Sequence, residues 1–211
     1  MTKILLTGFE PFAGAATNSS GDAVEVVRGR WSGTRESAND ELVVARLPVV
    51  FAQAGVQLLD LVAEHTPDVV IATGLANGRS SVTPERVAIN LEDARIPDNA
   101  GDQPTERSIE TSGPAAYWSG LPVAAISAAI SGAGIPSSVS TTAGTYVCNS
   151  VMYRLLASVR GSGVAAGFIH VPSSPRLAEG TSDPFLEVDE IARALEIAIE
   201  TTVGELQRRT L

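Results

Sequence analysis

Asp68-Val-Val-Ile-Ala-Thr73, entered through Pro67 and closed by Gly74, is the stretch on which the fold turns. Its middle residues, Val69 to Ala72, are apolar with no polar residue between them. A strand with one wet face alternates, so this one is covered on both sides. Lys3–Thr7 also reads as a buried strand, and Leu42–Leu47 and Ala165–His170 read as strands too. Arg86–Leu91 alternates as a strand should, and Ser137–Thr141 reads as a further short strand. Helical spacing fills the intervals: Asp22–Arg30, Val49–Glu64, Val123–Ser131, Asn149–Val159 and Asp189–Arg208. In Val49–Glu64 the spaced apolar residues are Val49, Ala52, Val56, Leu59 and Val62, which predicts that face as the buried one. In Asp189–Arg208 they are Ile191, Leu195, Ile199, Val203 and Leu206. Buried strands alternating with helices predict one α/β/α sandwich domain over residues 1–211, with a mostly parallel central sheet.

Composition narrows the function classes. At 44% hydrophobic and 18% charged, a chain of 211 residues has the apolar mass for a core and is not disordered. Fifteen basic against 24 acidic residues leave a net charge of −9, so nucleic acid and anionic membranes are not expected partners. One cysteine excludes an internal disulfide and a multi-cysteine metal site, and two histidines leave little for a zinc centre. No metal or cofactor is expected. The opening run Met1-Thr-Lys-Ile-Leu-Leu-Thr-Gly8 lacks a signal-peptide core, and a cytoplasmic location is expected.

In open sheets of this kind ligands sit at the carboxyl ends of strands, here the loops after Thr7, Thr73, Leu91, Thr141 and His170. Gly8–Gly21 is a polar loop with glycine and proline, and residues 92–112 form the longest irregular stretch. Neither glycine cluster fits a nucleotide fingerprint. Gly8 and Gly14 are separated by five residues where a phosphate loop has four, and Ala15-Ala16 replace its Lys-Ser/Thr. Gly161-Ser-Gly163-Val-Ala-Ala-Gly167 precedes a strand instead of following one. In Phe9-Glu-Pro-Phe12 two rings stand in a turn, either plugging the core or forming a slot for a ligand ring.

Cys148 falls where a helix begins, in Gly144-Thr-Tyr-Val-Cys148-Asn149. The positive end of the helix dipole lowers a thiol pKa there, and free first-turn amides receive an oxyanion. A lone cysteine is otherwise most often a small buried hydrophobe. His170 ends a strand on the same rim, whereas His65 sits at a helix C-terminus, where a structural role suffices. A thiol–imidazole pair needs a third group to fix the ring. Glu85, in Thr83-Pro-Glu-Arg86, is a candidate for it or half of a surface Glu–Arg pair. The residues by themselves reach a cysteine hydrolase on a doubly wound sheet.

These segments resemble the pyroglutamyl-peptidase I family, also called pyrrolidone-carboxylate peptidases. The resemblance rests on Thr7-Gly-Phe-Glu-Pro-Phe12, Thr83-Pro-Glu-Arg-Val-Ala-Ile-Asn90, Ala94-Arg-Ile-Pro-Asp-Asn99, Gly113-Pro-Ala-Ala-Tyr-Trp118, Gly144-Thr-Tyr-Val-Cys-Asn149 and Phe168-Ile-His-Val-Pro172, in that order nearly end to end. It implies a cytosolic cysteine peptidase that removes N-terminal pyroglutamate from peptides through a thioester. It further implies Cys148 as nucleophile, His170 as base then acid, and Glu85 as orienting carboxylate. By the same resemblance Phe9 and Phe12 flank the lactam, Tyr146 closes the pocket, Arg95 lies near the oxyanion, and the chain assembles as a homotetramer. Two positions depart from the family pattern: Leu75 stands where glutamine is frequent, and Asn77 where a small residue is usual. They motivate the alternatives of an amidohydrolase for another small acyl group, or a non-catalytic ligand-binding relative.

Overall fold

The computed structural model describes residues 1–210. Its elements in chain order are β1 (Lys3–Phe9), α1 (Ser19–Arg30), β2 (Glu41–Leu47), α2 (Phe51–His65), β3 (Val69–Leu75), β4 (Thr83–Pro84) and β5 (Val87–Ile89). There follow β6 (Ala116–Trp118), α3 (Val123–Gly132), α4 (Val147–Ser158), β7 (Ala165–Val171), α5 (Pro175–Ala178) and α6 (Val188–Thr210). The sheet order is β2-β1-β3-β7-β4. All pairs are parallel except β4, which runs antiparallel to β7 at the edge. The run that opened the sequence analysis is the middle strand, apolar on both faces because helices cover both.

Strand alternation sorts the core into two halves. Ile4, Leu6, Val69, Ile71, Ile169 and Val171 point to the face covered by α1, α3 and α6. Leu5, Phe9, Val70, Ala72, Ala166 and Phe168 point to the face covered by α2 and α4. On α6, Ile191, Leu195, Ile199 and Val203 are fully buried, as its spacing predicted. Among the described residues no helix is long and apolar enough to cross a membrane.

Four local expectations are corrected. The first loop is shorter than Gly8–Gly21: α1 starts at Ser19, because Asn18 caps it by accepting from Ser20 N at 3.1 Å. The buried face of α2 is Phe51, Ala54, Gly55 and Leu58, and Val56 is 56% exposed. Phe51 carries the larger apolar payload, and Gly55 lets α2 approach the Arg154 stem of α4, so the helix is turned by about one residue. Arg86–Leu91 contributes only β5, which pairs with β6 in a separate two-stranded sheet. Ser137–Thr141 makes isolated parallel bridges, Ser137 to Val82 and Ser140 to Glu85, rather than a sheet strand. Pro84 and Pro136 interrupt regular ladders on both sides of that contact.

Candidate active site

Because Gly74 and His170 are register partners on adjacent parallel strands, their side-chain positions share one sheet face. Phe168, two residues before His170, shares it too. A Cβ on Gly74 would stand 2.8 Å from Cys148 Sγ and 2.8 Å from Phe168 Cζ. Real Cβ contacts are not that short, so only glycine leaves the sulfur this seat on the strand beside the imidazole. Phe168 in turn packs its ring 4.9 Å from that of His170. The fold thus brings the sulfur and the imidazole to one face and one level of the sheet, as their places in the sequence predicted.

Glu85 completes the cluster. It is wholly buried, and its Oε1 lies 2.7 Å from His170 Nδ1. It is therefore not half of a surface pair with Arg86. Its cationic partner is Arg79, which the sequence analysis did not single out: Arg79 Nη1 donates to the same Oε1 at 2.6 Å. Burial opposes the charge on Glu85, but His170, through its hydrogen bond and its charge, together with Arg79 outweighs it and holds the carboxyl below its ordinary range. An ionised Glu85 accepts the Nδ1 proton, which leaves His170 Nε2 as the free lone pair.

Cys148 is the second residue of α4, after the N-cap Tyr146, which supplies no side-chain cap. The first amides of the helix have no carbonyl one turn back, so those of Val147 and Cys148 are donors at the sulfur's end of the helix. The expected lowering of the thiol pKa is overturned. Burial pushes the Cys148 thiol up to about 12, with the Glu85 charge adding to the rise, and Arg79 and the residue's own backbone amide offset only part. The dipole of a helix end is smaller than the cost of ionising a sulfur packed against the apolar cluster that contains Phe168. Burial also lowers the His170 pKa, against the raising effect of Glu85. The upward shift of the thiol and the downward shift of the imidazole both favour the uncharged forms.

The aromatic candidates differ in depth. Phe9 is 2% exposed and packs 6.4 Å from Phe168, closing the end of the core. Phe12 is half-buried, 6.3 Å from Tyr146. Tyr146 stacks edge-on against Phe51 and donates its hydroxyl to Pro97 O at 3.0 Å. Burial raises its pKa, with the charges of Asp98 and Cys148 adding to the rise. Arg95 is exposed and, among the described residues, makes no hydrogen bond or ion pair. Leu75 is half-buried at the end of β3 beside Val171, and exposed Asn77 accepts from Ser173 Oγ at 3.1 Å.

The irregular stretch 92–112 is pinned around this cluster. Glu92 accepts from Ser150 Oγ at 2.6 Å and from Arg107 Nε at 2.7 Å, which ties the stretch to α4 two residues after the cysteine. Asn149 is fully buried and spends its amide on Ile89 and Leu91. Asp98 accepts from Phe51 N at 2.8 Å, serving as a remote cap for α2, and Asn99 donates to Pro11 O at 2.9 Å. Among the described residues no group of three or more His, Cys, Asp or Glu is placed to hold a metal ion.

The family model described as pyroglutamyl peptidase matches residues 2–205. The pyrrolidone-carboxylate peptidase of Clavibacter michiganensis subsp. michiganensis is 47% identical over 205 residues, which span 97% of this chain and 94% of the relative. A relative of the same name from Pseudomonas fluorescens is 46% identical over 201 residues, 95% of this chain and 92% of that one. The crystal structure of pyroglutamyl peptidase I from Bacillus amyloliquefaciens matches with a TM-score of 0.91 at 42% identity, covering 98% of both chains. Pyrrolidone carboxyl peptidase from Thermococcus litoralis matches at 0.89 with 36% identity, covering 99% of this chain and 96% of that one. Matched by that model over residues 2–205 and by relatives 46–47% identical along nearly its whole length, the chain belongs to the pyroglutamyl peptidase family.

Proposed function

We propose that this chain is a cysteine peptidase that removes an N-terminal pyroglutamyl residue from peptides. The observation that carries the reading is His170 Nδ1 held at 2.7 Å by the Glu85 carboxylate, with Cys148 Sγ seated against Gly74, the register partner of His170. His170 Nε2 takes the thiol proton as sulfur bonds to the carbonyl carbon linking pyroglutamate to the next residue. The oxyanion is received by amides at the start of α4, with the unengaged Arg95 side chain available to join them. The C–N bond breaks, His170 protonates the departing amine, and a thioester remains. Water then gives a proton to His170 and its hydroxyl to the acyl carbon. The S–C bond breaks, the proton returns to sulfur, and pyroglutamate leaves.

A neutral lactam suits a pocket of rings, and Phe9, Phe12 and Tyr146 are assigned to it. Leu75 is tolerated if the lactam is held by backbone groups at the end of β3. A cytoplasmic single-domain subunit assembled as a homotetramer completes the reading. Trp118, 72% exposed, and Val56 are apolar surface that self-association would cover. The test is a panel of aminocoumarin amides. Pyroglutamyl amide is expected to be cleaved at least about 10²-fold faster than prolyl or alanyl amide. Equal rates would replace this substrate assignment with another acyl group.

A further inference from the structure

Beyond the three residues just assigned, one cation reaches their carboxylate. The chain leaves β3 at Leu75 and turns back through Ala76–Arg79, with Arg79 N bonded to Ala76 O at 3.2 Å and Gly78 at φ +80°. That turn delivers the guanidinium to three acceptors: Glu85 Oε1 and Thr83 Oγ1, both at 2.6 Å from Nη1, and Thr142 O at 3.0 Å from Nη2. Thr83 Oγ1 in turn lies 3.5 Å from the carbonyl of His170. The fork of Arg79 therefore links the carboxylate, the strand that carries the imidazole, and the loop after Thr141.

We infer that Arg79 is a positioning residue for the reaction: it holds Glu85 ionised and aims it at His170. Two features of the site require such a group. Glu85 is wholly buried, and its second oxygen, Oε2, has no hydrogen-bond partner. A buried carboxylate compensated on one oxygen alone is costly unless a permanent cation sits on that oxygen. Arg79 and His170 both use Oε1, and only Arg79 carries its charge at every working pH. A lysine supplies the charge but not a planar fork that meets three acceptors at once.

Arg79 also has an open side. Its side chain is 29% exposed and lines a hollow of about 460 Å³ with Ser81, Ser138, Ser140 and Thr142. Neither Cys148 nor His170 lines that hollow. Removing the side chain therefore leaves a place that a small cation enters from solvent.

The inference rests on the triad reading, and the two are tested apart. The titratable and charged groups facing one another here are Glu85, His170, Cys148 and Arg79. The competent form has His170 neutral and Glu85 ionised. Deleting a neighbouring positive charge favours proton uptake by that coupled pair, so the acid limb of kcat/KM moves to higher pH. For Arg79→Met, kcat against pyroglutamyl aminocoumarin at pH 7 is expected to fall about ten- to a hundredfold, with KM little changed and the acid limb raised by about one pH unit. Arg79→Lys is expected to keep the limb in place, and guanidinium chloride in the millimolar range is expected to restore turnover to Arg79→Ala. Should Arg79→Met fail to fold, Arg79→Gln carries the same expected shift. Wild-type turnover abolished by Cys148→Ala tests the triad by itself. A working triad whose acid limb stays put in the folded Met or Gln variant overturns the role of Arg79. So does a loss in Arg79→Ala that guanidinium leaves unrepaired.

Discussion

Glu85 and Glu92 are both buried and both accept from an arginine, Arg79 at 2.6 Å and Arg107 at 2.7 Å, yet their surroundings differ in kind. Glu92 uses both oxygens: Arg107 holds Oε2, Ser150 holds Oε1, and Arg154 stands 3.8 Å off. Glu85 shares a single oxygen between Arg79 and a histidine, and leaves the other oxygen unpaired among the described residues. A fully satisfied network rigidifies; a carboxylate with unspent capacity beside an imidazole is placed to act on a proton. Burial and an arginine do not tell the two apart. The third partner does.

Neutralising each carboxylate sharpens that contrast. Glu85→Gln is expected to lower kcat by about 10³-fold, because the ring loses the charge that fixes its tautomer and stabilises its protonated form. Its melting temperature is expected to stay close to wild type, since Arg79 reaches solvent and can be hydrated. Paired kinetics and calorimetry check this; a large loss of stability with intact kcat would make Glu85 a structural residue. Glu92→Ala is expected to do the reverse. It costs about 2 kcal/mol of stability, below the usual loss for a broken buried pair because both arginines are partly solvated. Its activity is expected to change mainly in KM, as residues 92–112 loosen from α4. A collapse of kcat with unchanged stability would erase the distinction.

The parts of this architecture that follow from local chemistry were legible in the sequence. Val69–Ala72 reads as a central strand because nothing in it tolerates water, and the structure places it there. Cys148 at a helix start and His170 at a strand end are positional inferences, and both hold. Helix α2 shows the limit of periodicity. Val49, Ala52, Val56 and Leu59 form as regular a stripe as Phe51, Ala54 and Leu58, and only packing against α4 selects the second.

Arg79 lay out of reach for another reason. In Gly78-Arg-Ser-Ser81 it looks like a solvated loop cation, and its partner Glu85 is brought to it by β4, a strand of two residues around a proline. The thiol pKa failed for the same cause. The helix end is visible in the sequence, but the apolar cluster that desolvates the sulfur is assembled from several elements, Phe168 of β7 among them.

The most direct measurement is turnover of a pyroglutamyl aminocoumarin amide by Cys148→Ala, with its fold verified by circular dichroism. Sulfur as the acyl acceptor requires a fall in kcat/KM of at least about 10⁴-fold. A folded variant that retains activity within about tenfold of wild type would show that the amide is broken without Cys148.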